Sequence, residues 1–406
     1  MSRRARAFLA VIMVFAVSVG AASPAAARAN WKIRIDRLIG GRSMSVAVRD
    51  AGEVLYRHKP SARRAPASGE KLLMSMALLD RLPPETRIET IASTTESLPT
   101  GVLRGNLWLL GRGDPSITGG GSFGRSLPFE PTRLSALAAE VERAGITKIR
   151  GSVVGAVSYF SHDWWAQGWS SNFPADEIAL PSALTFEGNK RKGRHIDDPE
   201  LRAARSLTRR LEARGIPVRR APRLGSPPEG LAPVAKVASV PLAQMLRYTN
   251  RHSSNFFAEV LGKRLAVEAY GTPGTIANGA RAIEAFASRR GVDVDAYDSS
   301  GLSYSNRISP NGFTRLLDGV ETELWFASLR STLAGADQGT LEDRLVGVKV
   351  RAKTGTLNYI STLSGWVWLR RTDSWAAFSI MSSGMYKPTA AQIEDEIVRE
   401  LTRNAR

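Results

Sequence analysis

Pro66-Ala67-Ser68-Gly69-Glu70-Lys71-Leu72-Leu73 closes a loop rich in arginine and alanine and opens the first strongly periodic stretch of the chain. Leu72, Leu73, Met76, Leu79 and Leu82 recur at helical spacing, and Pro83-Pro84 stops the pattern. The spacing predicts a helix that opens at Ser68. Residues three apart on a helix share a face, so Lys71 stands beside Ser68. A serine hydroxyl is a poor nucleophile near neutral pH and needs a base next to it. Lysine can be that base when burial or neighbouring cations lower its pKa. The N-terminus of the helix adds partial positive charge and free N–H groups that suit an oxyanion. The plainer reading makes Ser68 an N-cap and leaves Lys71 solvated.

Working outward, Ser43–Val48 and Gly52–Arg57 alternate across a turn at Asp50-Ala51-Gly52, the mark of a hairpin. At the other end of the chain Val348–Lys353, Tyr359–Leu369 and Ser374–Met381 alternate in the same way, and a helix follows from about Thr389 to Leu401. Two N-terminal and three C-terminal strands would make one antiparallel sheet flanked by helices, an α/β fold. Residues 89–235 differ in character. Short strand-like pieces such as Asn106–Leu110 and Ile149–Val154 alternate with helical stretches near Pro131–Ala144 and Pro199–Arg214. They are expected to form an inserted mixed α/β domain between two parts of a host domain, residues 30–88 and 236–406. A chain of 406 residues has room for this, since domains run to roughly 100–200 residues.

Two further triplets fall on suitable elements. Ser253-Ser254-Asn255 sits in a polar break between helical patterns at Leu242–Asn250 and Phe256–Ala269. Lys353-Thr354-Gly355-Thr356 ends a strand that starts the C-terminal hairpin. Each has a plain explanation: helix capping for Ser253 and Asn255, and an edge-strand lysine before a turn for Lys353, Thr354 and Gly355. Ser170-Ser171-Asn172 is a second S-x-N and serves as a decoy. Order, element type and spacing together favour a shared site.

Composition narrows the chemistry. There is no cysteine, which removes thiol nucleophiles and thiolate metal sites. The four histidines, His58, His162, His195 and His252, have no ligand spacing, so no metal and no cofactor is expected. Arg3, Arg4 and Arg6 precede an apolar run, Ala7 to Ala22, and small residues follow at Ala25 to Ala29. Residues 1–29 therefore read as an export signal, with an uncleaved anchor as the alternative. The net charge of +18 suggests attraction to wall polymers or a membrane surface. The arginines are scattered and form no basic helix or aromatic binding motif, so nucleic acid is not expected as a partner.

The triplets S-x-x-K, S-x-N and K-T-G together mark penicillin-binding proteins and related β-lactamases. The chain resembles the serine D-alanyl-D-alanine carboxypeptidases of the penicillin-binding protein 4 type, peptidase family S13. The likeness runs through Pro66 to Leu72, Gly105-Asn106-Leu107-Trp108-Leu109-Leu110-Gly111-Arg112-Gly113-Asp114-Pro115, Asn250 to Glu259, Asp298-Ser299-Ser300-Gly301-Leu302-Ser303, Asn306 to Pro310, Gly339-Thr340-Leu341 and Arg351 to Leu357. It implies a penicillin-binding fold, a periplasmic enzyme, peptidoglycan stem peptides as substrate and β-lactams as inhibitors. It also implies roles. Ser68 would be acylated, Lys71 would take its proton, and Ser253 would relay a proton to the leaving amine. Asn255 would bind the peptide backbone, Lys353 and Thr354 the terminal carboxylate, with Gly355 beside them. The N–H groups of Ser68 and Thr356 would form the oxyanion hole.

Two features depart from the family pattern. The passage from Asn189 almost at once to Asp197-Asp198-Pro199 leaves no room for the small nested domain that members usually carry. Gly155, Ala156 and Val157 stand before Ser158-Tyr159-Phe160 where acidic residues are expected, which puts recognition of a diaminopimelate amine in question. Carboxypeptidase and endopeptidase action both remain open, as do a β-lactamase or esterase with the same chemistry and a catalytically silent wall scaffold. Trp164, Trp165 and Trp169 are expected to pack the insertion against the host, and His252 is expected to be structural.

Overall fold

The computed structural model of the protein describes residues 24–97 and 100–405. The segment read as an export signal falls mostly on residues 1–23, outside the described residues. No helix among the described residues is long and apolar enough to cross a membrane.

The expected five-stranded sheet is present. Its strands run in the order Val350–Leu357, Ile360–Leu369, Ser374–Ser383, Met44–Asp50 and Glu53–His58, every neighbour antiparallel. The long-range join is the pairing of Met44–Asp50 with Ser374–Ser383, which sets Val48 opposite Phe378. Side chains alternate between the two faces of a strand, and the sequence uses both. Trp366, Ala377 and Met381 enter one core, while Val367, Phe378 and Ile380 enter the other.

The second of these cores is closed by the helices Pro24–Ile39 and Lys387–Asn404, through Trp31, Ile35, Ile39, Ile397 and Leu401. The first of these helices was not anticipated, because the small residues that begin it read as a cleavage region. Its i, i+4, i+8 spacing of Trp31, Ile35 and Ile39 was the available signal.

The first core is centred on the helix Glu70–Leu79, all of whose residues are buried. A helix apolar on every side belongs inside, and each fully buried leucine contributes roughly 1.5–3 kcal/mol. The helices Leu242–Arg251, Asn255–Tyr270, Ile276–Arg289 and Pro310–Gly319 pack around it. The α-helix starts later than the sequence spacing predicts. Ala67–Gly69 form a 3₁₀ turn, and no side chain caps the α-helix at Gly69. Ser68 is therefore held in a tight turn at the mouth of a buried helix, not at an N-cap.

A second sheet has the order Arg223–Gly225, Val153–Ala156, Leu107–Leu110, Glu89–Thr94 and Ala232–Ala238. Its first two pairings are parallel and its last two antiparallel. Leu134–Arg143 and Pro199–Glu212 cover one face through Leu137, Val141, Leu207 and Leu211. The strands by which the chain enters and leaves this unit pair with each other, Glu89 opposite Ala238. Just outside them, Leu242 N donates to Thr86 O at 2.8 Å. Between Asn189 and Pro199 the chain makes only a hairpin, Lys190–Arg191 with Arg194–His195.

Candidate active site

The three triplets meet at the mouth of one cavity of about 980 Å³. Ser68, Ser253, Asn255, Thr354 and Thr356 line it. Lys71 and Lys353 stand behind the lining, each with no exposed surface. Burial disposes of the plain reading that leaves Lys71 solvated, and Lys353, although on an edge strand, is buried too.

Lys71 Nζ donates to Ser68 Oγ at 3.0 Å, to Asn255 Oδ1 at 2.8 Å and to Ser300 O at 2.5 Å. A second lysine–serine pair faces it, with Lys353 Nζ donating to Ser253 Oγ at 3.0 Å and to Thr354 O at 2.9 Å. Burial pushes the Lys71 ammonium down to about 8, against the pull of Asp298, Glu259, Glu70 and Glu177. Burial, together with the charges of Lys71 and Lys387, holds Lys353 well below the usual lysine range.

Helix capping does occur in the second triplet, but on its middle residue. Ser254 Oγ accepts from Phe257 N, which leaves Ser253 and Asn255 to face the cavity. Ser253 takes a left-handed φ of 53° at this break. His252 stacks on Tyr248 with ring centroids 4.8 Å apart, a packing role.

Lys353 to Thr356 lie on the outermost strand of the first sheet. A sheet edge offers backbone groups with which an extended peptide can pair. Gly355 does not line the cavity. A Cβ there would sit 2.2 Å from Thr362 Oγ1 and 2.5 Å from Pro66 O, so its bare backbone lets the turn before Ser68 lie against the strand. Thr362 Oγ1 donates to Pro66 O at 2.8 Å in the same contact. From another side, a Cβ on Gly301 would fall 1.8 Å from Ala67 O. Ala67, with a left-handed φ of 48°, is thus gripped between two glycines.

Sequence reasoning missed the carboxylates that hold this arrangement. Asp298 is wholly buried and accepts from Trp169 Nε1 (2.7 Å), Ser303 N (2.8 Å), Asn306 Nδ2 (2.8 Å), Gly301 N (2.9 Å) and Ser300 Oγ (3.2 Å). Glu259 Oε1 accepts from Ser299 N and Ser300 N. Together they fix the loop whose Ser300 carbonyl meets Lys71. Burial, reinforced by Asp298, raises Glu259 to about 8. Burial also raises Glu70 well above the carboxylate range, and both its oxygens lack hydrogen-bond partners among the described residues. The stretch Asp298–Ser303 is part of the family likeness, yet nothing in it singles out Asp298 until Trp169 arrives from far along the chain.

The decoy triplet also reaches the site. Ser170, Asn172 and Glu177 line the cavity wall, and Asn255 Nδ2 donates to Glu177 O at 3.4 Å. Trp169 packs with Phe173, Ile178, Ile276 and Leu302, so its ring fills the junction as expected, while Trp165 is half exposed.

The sequence model of the D-Ala-D-Ala carboxypeptidase 3 (S13) family matches residues 32–189 and 173–404. A D-alanyl-D-alanine carboxypeptidase of an Actinomadura species is 26% identical over 508 aligned positions, covering 100% of this chain and 91% of that one. The crystal structure of penicillin binding protein 4 from Haemophilus influenzae superposes with a TM-score of 0.77 at 21% identity, covering 91% of this chain and 99% of that one. The same protein complexed with a β-lactam gives 0.73 at 20% identity and the same coverage. The likeness shows the fold to be of the penicillin-binding type, an antiparallel sheet flanked by helices.

Proposed function

The chain belongs to the D-Ala-D-Ala carboxypeptidase 3 (S13) family of serine peptidases, and from that premise we propose that it cleaves the terminal D-alanine from peptidoglycan stem peptides through an acyl-enzyme on Ser68. The observation that carries this reading is the pair of lysine–serine contacts, Lys71 with Ser68 and Lys353 with Ser253, converging on one cavity beside an open strand edge.

The chemistry follows from that placement. The stem peptide pairs with the edge strand Val350–Leu357, and its terminal carboxylate is drawn to the positive field around Lys353, through Ser253 and Thr354. Neutral Lys71 takes the Ser68 proton as Oγ bonds to the penultimate D-alanine carbonyl carbon. The N–H groups of Ser68 and Thr356 receive the oxyanion. The carbon–nitrogen bond then breaks, and the proton passes through Ser253 to the leaving amine. Water hydrolyses the ester and restores the Ser68 hydroxyl. Residues 30–88 and 236–406 act as the catalytic unit and 89–235 as its insertion. The signal-like start supports a place in the periplasm.

Release of D-alanine from an uncross-linked stem peptide, together with stable labelling by a tagged penicillin, tests the reading. Both are expected in the wild type and absent in Ser68→Ala. Rapid turnover of the drug would instead indicate a β-lactamase. Cleavage of cross-linked muropeptides alone would indicate an endopeptidase.

A further inference from the structure

A second cavity, of about 850 Å³, lies against the Ser253–Asn255 turn. Six basic side chains line it: Lys190, Arg191, Lys192, Arg202, Arg209 and Arg210. Glu187 is the acid on its wall, and its Oε1 is already used by Thr118 Oγ1, Gly119 N and Gly121 N. Among the described residues, none of the six is ion-paired with a carboxylate. Arg202 and Arg210 are half-buried and held by carbonyls, Arg202 by Lys190 O and Arg210 by Ser206 O and Gly119 O. Burial disfavours the charge on both; Asp198 and Glu187 favour it at Arg202 and Glu187 at Arg210, while Arg191 and Arg205 beside the one and Arg209 beside the other disfavour it further. Clustered cations of this kind repel each other until an anion enters.

The hairpin Lys190–His195 that builds one wall turns through Lys192 and Gly193, both at positive φ (49° and 78°). Glycine or asparagine suits the first of these positions better, so this turn presents a lysine at some backbone cost.

Two contacts join this groove to the catalytic cavity. Ser254 lines the groove while its neighbours Ser253 and Asn255 line the cavity. The His195 ring nitrogen Nδ1 lies 2.7 Å from Pro174 O, which ties the hairpin to the segment whose Asn172 and Phe173 line the cavity. A polymer with anionic peptides at intervals could therefore occupy both.

We propose that this groove is a second substrate site, which binds the free carboxylates of a peptide stem neighbouring the one cleaved at Ser68. The inference rests on the reading of the catalytic cavity given above, and it supplies the means by which the enzyme holds a polymer and not only a peptide. Guanidinium forks match carboxylates in geometry as well as charge.

The test uses the full chain and the exposed pair Arg191→Glu with Lys192→Glu, outside the catalytic machinery. Two quantities are measured: co-sedimentation with insoluble peptidoglycan stripped of phosphate-bearing polymers, and kcat/KM on a soluble single-stem peptide. The variant should bind the polymer about tenfold more weakly and lose most of the salt dependence of binding, with single-stem kcat/KM unchanged. Unchanged sedimentation overturns the proposal. So does an equal loss on the single-stem peptide, which would make the hairpin a support for the catalytic cavity. Binding only to unstripped walls would assign the groove to phosphodiesters and overturn the carboxylate assignment. If the wild type releases no D-alanine from the single stem, the catalytic reading fails, and sedimentation still decides the groove.

Discussion

Lys71 Nζ lies 3.0 Å from Ser68 Oγ with no surface open to solvent. The contact is useful only when the nitrogen is neutral. With Lys71 pushed down to about 8, the neutral fraction grows with pH up to that value. Acylation by a slow β-lactam, followed by stopped flow, should rise about tenfold per pH unit below 8 and then level off. Lys71→Arg, which keeps the charge and cannot give up its proton, should lower the acylation rate by about 10²–10⁴. An acylation rate that is flat between pH 6 and 8 would remove Lys71 from the role of base.

Gly355 should tolerate no side chain. Gly355→Ala drives a methyl into Thr362 Oγ1 and Pro66 O, and the turn that carries Ser68 must yield. Overpacking of this kind costs about 1–3 kcal/mol of stability, and a displacement near 1 Å can cost about a hundredfold in rate. Thermal unfolding and penicillin labelling of the variant measure the two separately. Full labelling at the wild-type rate would show that the turn does not depend on the close approach.

Glu70 and Glu259 make the fold sensitive to base. Their folded pKa values are raised above the ordinary one, Glu259 to about 8. At these two groups the folded protein therefore holds protons that the unfolded chain gives up. Their contribution to stability falls as pH climbs from about 4.5 to 8, while the lowered lysines contribute in the opposite direction. Glu70→Met removes a buried carboxyl without hydrogen-bond partners. It should stabilise the protein by about 1–3 kcal/mol at pH 8 and flatten part of that decline, leaving the share due to Glu259. Denaturant melts at pH 5 and pH 8 compare the slopes. A variant less stable than wild type at pH 8 would contradict this account.

Asp298 should be needed as a charge. Its two oxygens receive five donors, and an amide in its place turns N–H groups toward N–H groups. Asp298→Asn should cost roughly 2–5 kcal/mol. It should also change the Trp169 fluorescence, because the indole loses its acceptor, and slow acylation as the Ser300 carbonyl drifts from Lys71. Wild-type fluorescence with slowed acylation would place the effect elsewhere.

Sequence patterns revealed the host sheet because its strands alternate and its register follows from two apolar faces. They also picked out Ser68, Lys71, Ser253 and Lys353 as candidates, and the fold brings these four to one cavity. What stayed hidden depends on contacts between distant segments. Asp298 becomes a hub only where Trp169 meets it, and Ser170 and Asn172 join the cavity only once the insertion folds over it. Ser254, in the middle of its triplet, could not be assigned the capping role until the helix start was fixed at Asn255.

The strands Glu89–Thr94 and Ala232–Ala238 leave and re-enter the host side by side. The cost of closing a loop grows only slowly with its length, and here the ends are already joined by a ladder. The entropic cost of closing the insertion therefore changes little with its length, while Trp169 within it stays bonded to Asp298 of the host. Material can be gained or lost out there, as with the short hairpin at residues 190–195, while the nucleophile and its lysine keep their places. Only the outlying turns of the insertion have this freedom, since Trp169, Ser170 and Asn172 tie its inner side to the reaction centre.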